Sequence, residues 1–192
     1  MQQFLAATKI IDWDHPDVLS RARALAEGAN SVEISAKRCF EWVRDEIKHS
    51  RDYQLQVVTC AASDVLHVGS GYCYAKSHLL AALLRANGIP AGLCYQRLSR
   101  DDNGPPFCLH GLNAVLLPGV GWYRIDARGN RAGINAQFVS PVEQLAFPIR
   151  LLGEADFPKI WAEPLPVVVD ALQSRATADT LWAHLPDVEP QT

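Results

Sequence analysis

Residues 71–90 read Gly-Tyr-Cys-Tyr-Ala-Lys-Ser-His-Leu-Leu-Ala-Ala-Leu-Leu-Arg-Ala-Asn-Gly-Ile-Pro, and the reading of this stretch decides the fold. From Cys73 to Asn87 it is apolar nearly all round, the pattern of a helix in the interior rather than one lying on a surface. Gly88, able to take positive φ, and Ile89-Pro90 stop it, while Gly69-Ser70-Gly71 precedes it. Cys73 stands at the first turn, where unpaired backbone N–H groups and the positive end of the helix dipole favour a thiolate over a thiol. It is therefore the reactive candidate.

Working outward, Asp17 to Glu27 can form a helix with His15-Pro16-Asp17 as its start and Gly28 as its stop. Ser31 to Lys48 carries Ile34, Phe40, Val43 and Ile47 at helical spacing opposite a charged face, so a second, amphipathic helix is expected there. Ser63 to Leu66 suggests a short helical turn. Downstream, Ala91 to Leu98, Gly111 to Leu117 and Gly121 to Ala127 are β-like, divided by the polar loop Ser99 to Pro106 and by Pro118-Gly119. Helices first and an antiparallel sheet after predict an α+β domain. Seven of the 12 prolines follow Ser140. They punctuate 147–152, 157–162 and a final helix from about Val167 to His184, an extension of about 141–192 packed on a core of about 31–130. At 192 residues, a single domain is expected over 1–192.

Composition excludes several classes. A formal net charge of -3 offers no footprint for nucleic acid or an anionic membrane. The N-terminal MQQFLAATKIIDWDH has no signal-peptide pattern, and no apolar run reaches bilayer-spanning length, so a cytoplasmic protein is expected. The 5 cysteines, an odd number, argue against a secreted disulfide framework. Cys39, Cys60 and Cys94 lie among apolar neighbours and read as inert packing residues.

A thiolate nucleophile needs a base, and the base needs an orienting group. His110 and Asp126 answer both needs. If Leu117 pairs with Val120 across the Pro118-Gly119 turn, His110 falls opposite Ala127 and Asp126 opposite Gly111. A slip of one residue, or a bulge, would set His110 and Asp126 directly opposed. Taken singly, His110 also reads as a loop histidine and Asp126 as a turn residue.

With Gly71 to Pro90, then His110, then Gly121-Trp-Tyr-Arg-Ile-Asp126 in place, the chain resembles the bacterial transglutaminase-like superfamily, whose core is papain-like. Val43 to Ile47 resembles that family's upstream helix, and the likeness spans Ser31 to Asn130. The resemblance implies Cys73 as nucleophile, His110 as general acid and base and Asp126 as orienting carboxylate, acting on a peptide or protein amide with no cofactor. The sequence departs from the family pattern at Gly111-Leu112-Asn113, where members often carry aromatic residues, and at Ala127-Arg128, where a proline often follows the aspartate.

The tetrahedral oxyanion needs donors. The Cys73 N–H is one, and Trp42, Tyr53 and Gln54 are candidates for a second. Cys108-Leu-His110 lacks the companion pair of a structural zinc site, so no metal is expected. His78 reads as a buried, hydrogen-bonded histidine. Gly69-Ser-Gly71 lacks the lysine of a phosphate-binding loop. Arg128 reads as a surface-turn residue or a partner for a substrate carboxylate. Two functions fit: a thiol acyltransferase or hydrolase working through a thioester, or a catalytically silent module that binds a protein or peptide.

Overall fold

The chain builds its interior around the apolar stretch. The structure is a computed structural model and describes residues 1–190, so the last two residues of the expected extension lie outside the described residues. The helices in chain order are α1 (Pro16–Ala26), α2 (Val32–Glu46), α3 (Ala62–Val68) and α4 (Cys73–Ala86), with short strands β1 (Lys48–His49) and β2 (Ser70–Gly71) between them. Then come β3 (Ala91–Ser99), β4 (Phe107–Leu117), β5 (Gly121–Ile125), β6 (Gln137–Val139), β7 (Val142–Gln144) and β8 (Ala155–Asp156), followed by α5 (Pro166–Ser174) and α6 (Ala178–Ala183). This is the α+β architecture expected from the sequence.

Helix starts follow local chemistry. Pro16 at the first turn of α1 has no N–H to leave unpaired, and the His15 ring accepts the Asp17 N–H. At α2 the Ser31 hydroxyl accepts the Ile34 N–H at 3.1 Å, and the left-handed Gly88 lets the chain turn sharply after α4. α4 packs on α1, α2 and α3 along one side and on β3 and β4 along the other. Leu79, Leu80, Leu83 and Leu84 are consequently all at 0% exposure. Each such side chain contributes roughly 1.5–3 kcal/mol of burial free energy. Arg85, at the far end of α4, donates to the carbonyls of Ala6, Ala91 and Ala162, tying the N-terminal and C-terminal segments to the core. The continuous apolar core runs from Ile11 to Leu181. Among the described residues no helix is long and apolar enough to cross a membrane.

The main sheet is antiparallel with order β5-β4-β3-β8. Two expectations are corrected here. The β4–β5 ladder pairs Leu117 with Gly121, not with Val120. A two-residue Pro118-Gly119 turn would be of type II, whose twist splays hairpin strands; a three-residue loop with left-handed Gly119 fits better. Continued to the end of β5, this offset sets Asp126 across from Leu112, so Asp126 shares a sheet face with His110 as a diagonal neighbour rather than opposing it directly. The expected single C-terminal helix is two helices, because Arg175 is extended and the Thr177 hydroxyl caps a new start by accepting the Thr180 N–H at 3.2 Å.

Candidate active site

Cys73 is the first residue of α4, held at its place by two strands and a glycine. β1 and β2 pair in parallel just before it, with the Ser50 N–H donating to the Gly71 carbonyl at 3.1 Å. On the sheet side, a Cβ at Gly111 would stand 2.9 Å from Tyr74 Cδ1 and 3.1 Å from Tyr74 Cα. The missing side chain lets the first turn of α4 lie directly on β4, and the Gly111 N–H donates to Cys73 Sγ at 3.5 Å. The departure from the aromatic family pattern at this position thus has a packing reason.

His110, one residue before that glycine, turns its ring to Asp126, with Nε2 at 2.7 Å from Oδ2. Nδ1 is left as the nitrogen able to serve the thiol. Asp126 is fixed from three sides, since Oδ1 accepts the Arg128 N–H at 3.1 Å and Oδ2 also accepts the Ala146 N–H at 3.2 Å. Burial disfavours the imidazolium, but the charges of Asp126 and Cys73 and their hydrogen bonds outweigh it and push His110 up to about 10. Burial likewise works against the Asp126 carboxylate, yet His110 and the two backbone N–H donors hold it below its ordinary value. The site is therefore built for a charged ring against a charged carboxylate. Cys73, His110 and Asp126 are 7%, 5% and 1% exposed.

Burial pushes Cys39 up to about 12, Cys60 to about 11, and Cys94 and Cys108 to about 12. All five cysteines are free. Cys73 and His110 line a cavity of about 310 Å³, together with His49, Tyr72 and Phe147 among others. Trp42, Tyr53 and Gln54 do not line it, so the three side chains expected as oxyanion donors are not brought to Cys73. Tyr53 lies exposed beside Lys48, and Trp42 lies under Arg21 of α1 and packs against the core.

Several residues at the site carry no sequence signal strong enough to find them. His49 is buried, its Nδ1 without a hydrogen bond among the described residues and 3.8 Å from Asp52 Oδ1, and burial and the nearby Arg128 and Lys76 charges keep it neutral. Phe147, from the C-terminal extension, lies edge-on to the His110 ring at 5.0 Å. Lys76, one turn after Cys73, is buried and donates to the carbonyls of Arg44 and Ile47. Burial, and then the Arg128 charge, lower it to about 7. A lone lysine on an otherwise apolar helix was the signal available for it. Arg128 is no surface turn residue: it is buried and makes a two-pronged ion pair with Asp52. His78 donates Nδ1–H to the Cys60 carbonyl at 2.8 Å, in line with its reading as a packed histidine. Among the described residues no three His, Cys, Asp or Glu side chains converge to hold a metal ion.

A sequence model of the transglutaminase-like superfamily matches residues 20–127, more than half of the chain. The chain belongs to that superfamily. In three dimensions it is similar to a candidate cysteine protease from Cytophaga hutchinsonii, at 21% identity and a TM-score of 0.50, over 65% of this chain and 40% of that one. It is also similar to the periplasmic domain of TgpA from Pseudomonas aeruginosa, at 20% identity and a TM-score of 0.47, over 65% of this chain and 45% of that one. The chain thus spans less than half the length of either structure's chain, and at 21% identity the likeness to the first bears on the fold alone. No curated protein matches the chain. The superfamily match ends at Ala127, so Arg128, Ala146, Phe147 and Trp182, which shape the cavity or hold Asp126, come from sequence beyond it.

Proposed function

We propose that the protein is a thiol-dependent acyltransferase or hydrolase acting on peptide-like amides, with Cys73 as nucleophile, His110 as general acid and base and Asp126 as the carboxylate that orients and charges the ring. The observation that carries this reading is the 2.7 Å His110–Asp126 contact beside a thiol lining the same cavity. Cys73 Sγ attacks the amide carbonyl, forming the C–S bond. The developing oxyanion meets backbone N–H groups at the start of α4, Cys73's own among them. His110 gives its proton to the leaving nitrogen, the C–N bond breaks, and ammonia or an amine departs from a thioester. Water or an acceptor amine then attacks the thioester, His110 takes the proton from it, and the thiolate leaves.

The test is a set of amide donors, with ammonia release and amine incorporation followed separately. Turnover that disappears in Cys73→Ser supports the reading, and no turnover with any donor counts against it. A second reading, a binding module without turnover, is favoured by the low exposure of Cys73 in a cavity that Phe147, Trp182 and Leu185 of the C-terminal extension also line. Brief iodoacetamide treatment near neutral pH separates the two. Labelling of Cys73 ahead of the other four thiols speaks for the enzyme, and an unlabelled Cys73 for the module.

A further inference from the structure

Five arginines, at 51, 100, 128, 131 and 150, line the cavity that holds Cys73, against three carboxylates. Two of those carboxylates are already engaged. Asp52 faces Arg128 and Arg131, and Glu154 accepts the backbone N–H groups of Ser99, Arg150 and Leu151. The third, Asp102, lies exposed on a loop at left-handed φ. Arg51 and Arg100 are left without an ion pair among the described residues, and Arg100 Nε is buried with no hydrogen-bond partner. Both guanidiniums lie against the Trp182 ring, Arg51 Cζ at 3.9 Å and Arg100 Cζ at 4.9 Å from its centroid. Stacking of this kind fixes the plane of a guanidinium and leaves its N–H edge free for an oxyanion.

The cavity's size narrows what that oxyanion belongs to. About 310 Å³ is at the small end of the ~300–1,000 Å³ range of small-molecule sites, room for a small donor rather than a long stretch of chain. Trp182 and Leu185, brought in by α6 and the tail, line the cavity, and the Pro186 carbonyl takes the Leu109 N–H of β4 at 2.8 Å. Arg97 clamps that tail through Asp187 at 2.6 Å. An extended polypeptide would have to displace this tail, whereas a small donor would not.

We propose that this cavity takes an acyl donor carrying a carboxylate, and that Arg100 and Arg51, held against Trp182, receive it. This rests on the acyl-transfer reading of Cys73 and adds a substrate class to it. The carboxylate is either the free α-carboxylate of the residue bearing the amide or the side chain of an acidic neighbour. Arginine reads both as a planar two-oxygen acceptor.

Glutarate, with glutaramide as its uncharged match, tests the subsite without turnover. Calorimetric titration of the Cys73→Ser protein should show glutarate binding at least tenfold tighter than glutaramide. Arg100→Gln and Arg51→Gln should each weaken glutarate about tenfold, with Arg100→Lys weakening it less, at unchanged thermal midpoints. In the wild-type protein glutarate should slow iodoacetamide labelling of Cys73, placing it in this cavity. Equal affinities for the two compounds, no glutarate binding, variants as tight as the parent, or binding that leaves the labelling rate of a reactive Cys73 untouched would each overturn the subsite. Glutarate binding with an inert Cys73 would instead remove the acyl-transfer reading and leave the subsite standing. Competition by N-acetylglutamine against the amide of N-acetyl-Glu-Gln separates the two sources of the carboxylate.

Discussion

His78 on α4 and His110 on β4 are both buried, yet their surroundings drive them in opposite directions. His78 meets a backbone carbonyl, and burial takes it down to about 4. His110 meets the Asp126 carboxylate and the Cys73 thiol, and these overcome the same burial to take it up to about 10. Desolvation alone makes a histidine neutral and structural; a buried countercharge 2.7 Å away makes it a poised cation. One carboxylate separates packing from chemistry in this interior.

The strongest way to break the comparison is to remove that carboxylate. Asp126→Asn should lower turnover by about 10²–10⁴, since an amide can favour the wrong tautomer of His110. The His110 ring, followed by NMR, should titrate below its ordinary value instead of near 10. An unchanged ring titration would mean that Asp126 is a structural turn residue.

Thiol selectivity sharpens the same contrast. With their pKa values raised to about 11–12, Cys39, Cys60, Cys94 and Cys108 hold roughly one thiolate in ten thousand or fewer at neutral pH. Iodoacetamide mapped by mass spectrometry should mark Cys73 at least a hundredfold faster than any of them. Preferential labelling of another cysteine would defeat the assignment.

Gly111→Ala tests the close approach between α4 and β4 that brings the thiol to the ring. A methyl 2.9–3.1 Å from Tyr74 atoms, one of them backbone, forces the helix start and the strand apart. The expected cost is about 1–3 kcal/mol in denaturant melts, with slower Cys73 labelling. Wild-type labelling at wild-type stability would show that the contact does not position the site.

The smallest effect concerns pH and stability, where the two histidines carry opposite signs. His110, raised when folded, contributes stability that is complete below pH 6.5 and is lost as pH rises through about 10. His78, lowered when folded, contributes none of this and instead costs stability as pH falls from 6.5 towards 4, an effect it shares with His49. His78→Gln should therefore flatten part of the acid limb in thermal melts between pH 6.5 and 4 while leaving Cys73 labelling unchanged. A parallel loss of reactivity would make His78 part of the site.

What the sequence determined by itself was whatever depends on neighbours along the chain. The buried helix with its thiol at the first turn, the caps at His15, Ser31 and Gly88, and the strands on either side of the polar loop all follow from periodicity and turn chemistry. Cys73, His110 and Asp126 were also nominated from the sequence, because their order along the chain resembles a family pattern, and the fold brings the three side chains to one place. Tertiary structure decided the rest. The hairpin offset that puts His110 and Asp126 on one face turns on a single residue in a loop, below the resolution of any periodicity. The burial of Lys76 and Arg128, the Ala146 N–H on Asp126, the Phe147 ring on His110 and the Trp182 wall with its two arginines all join segments distant in sequence. Their charges and contacts exist only where the folded chain excludes water, and local sequence carries no record of which distant segment will do so.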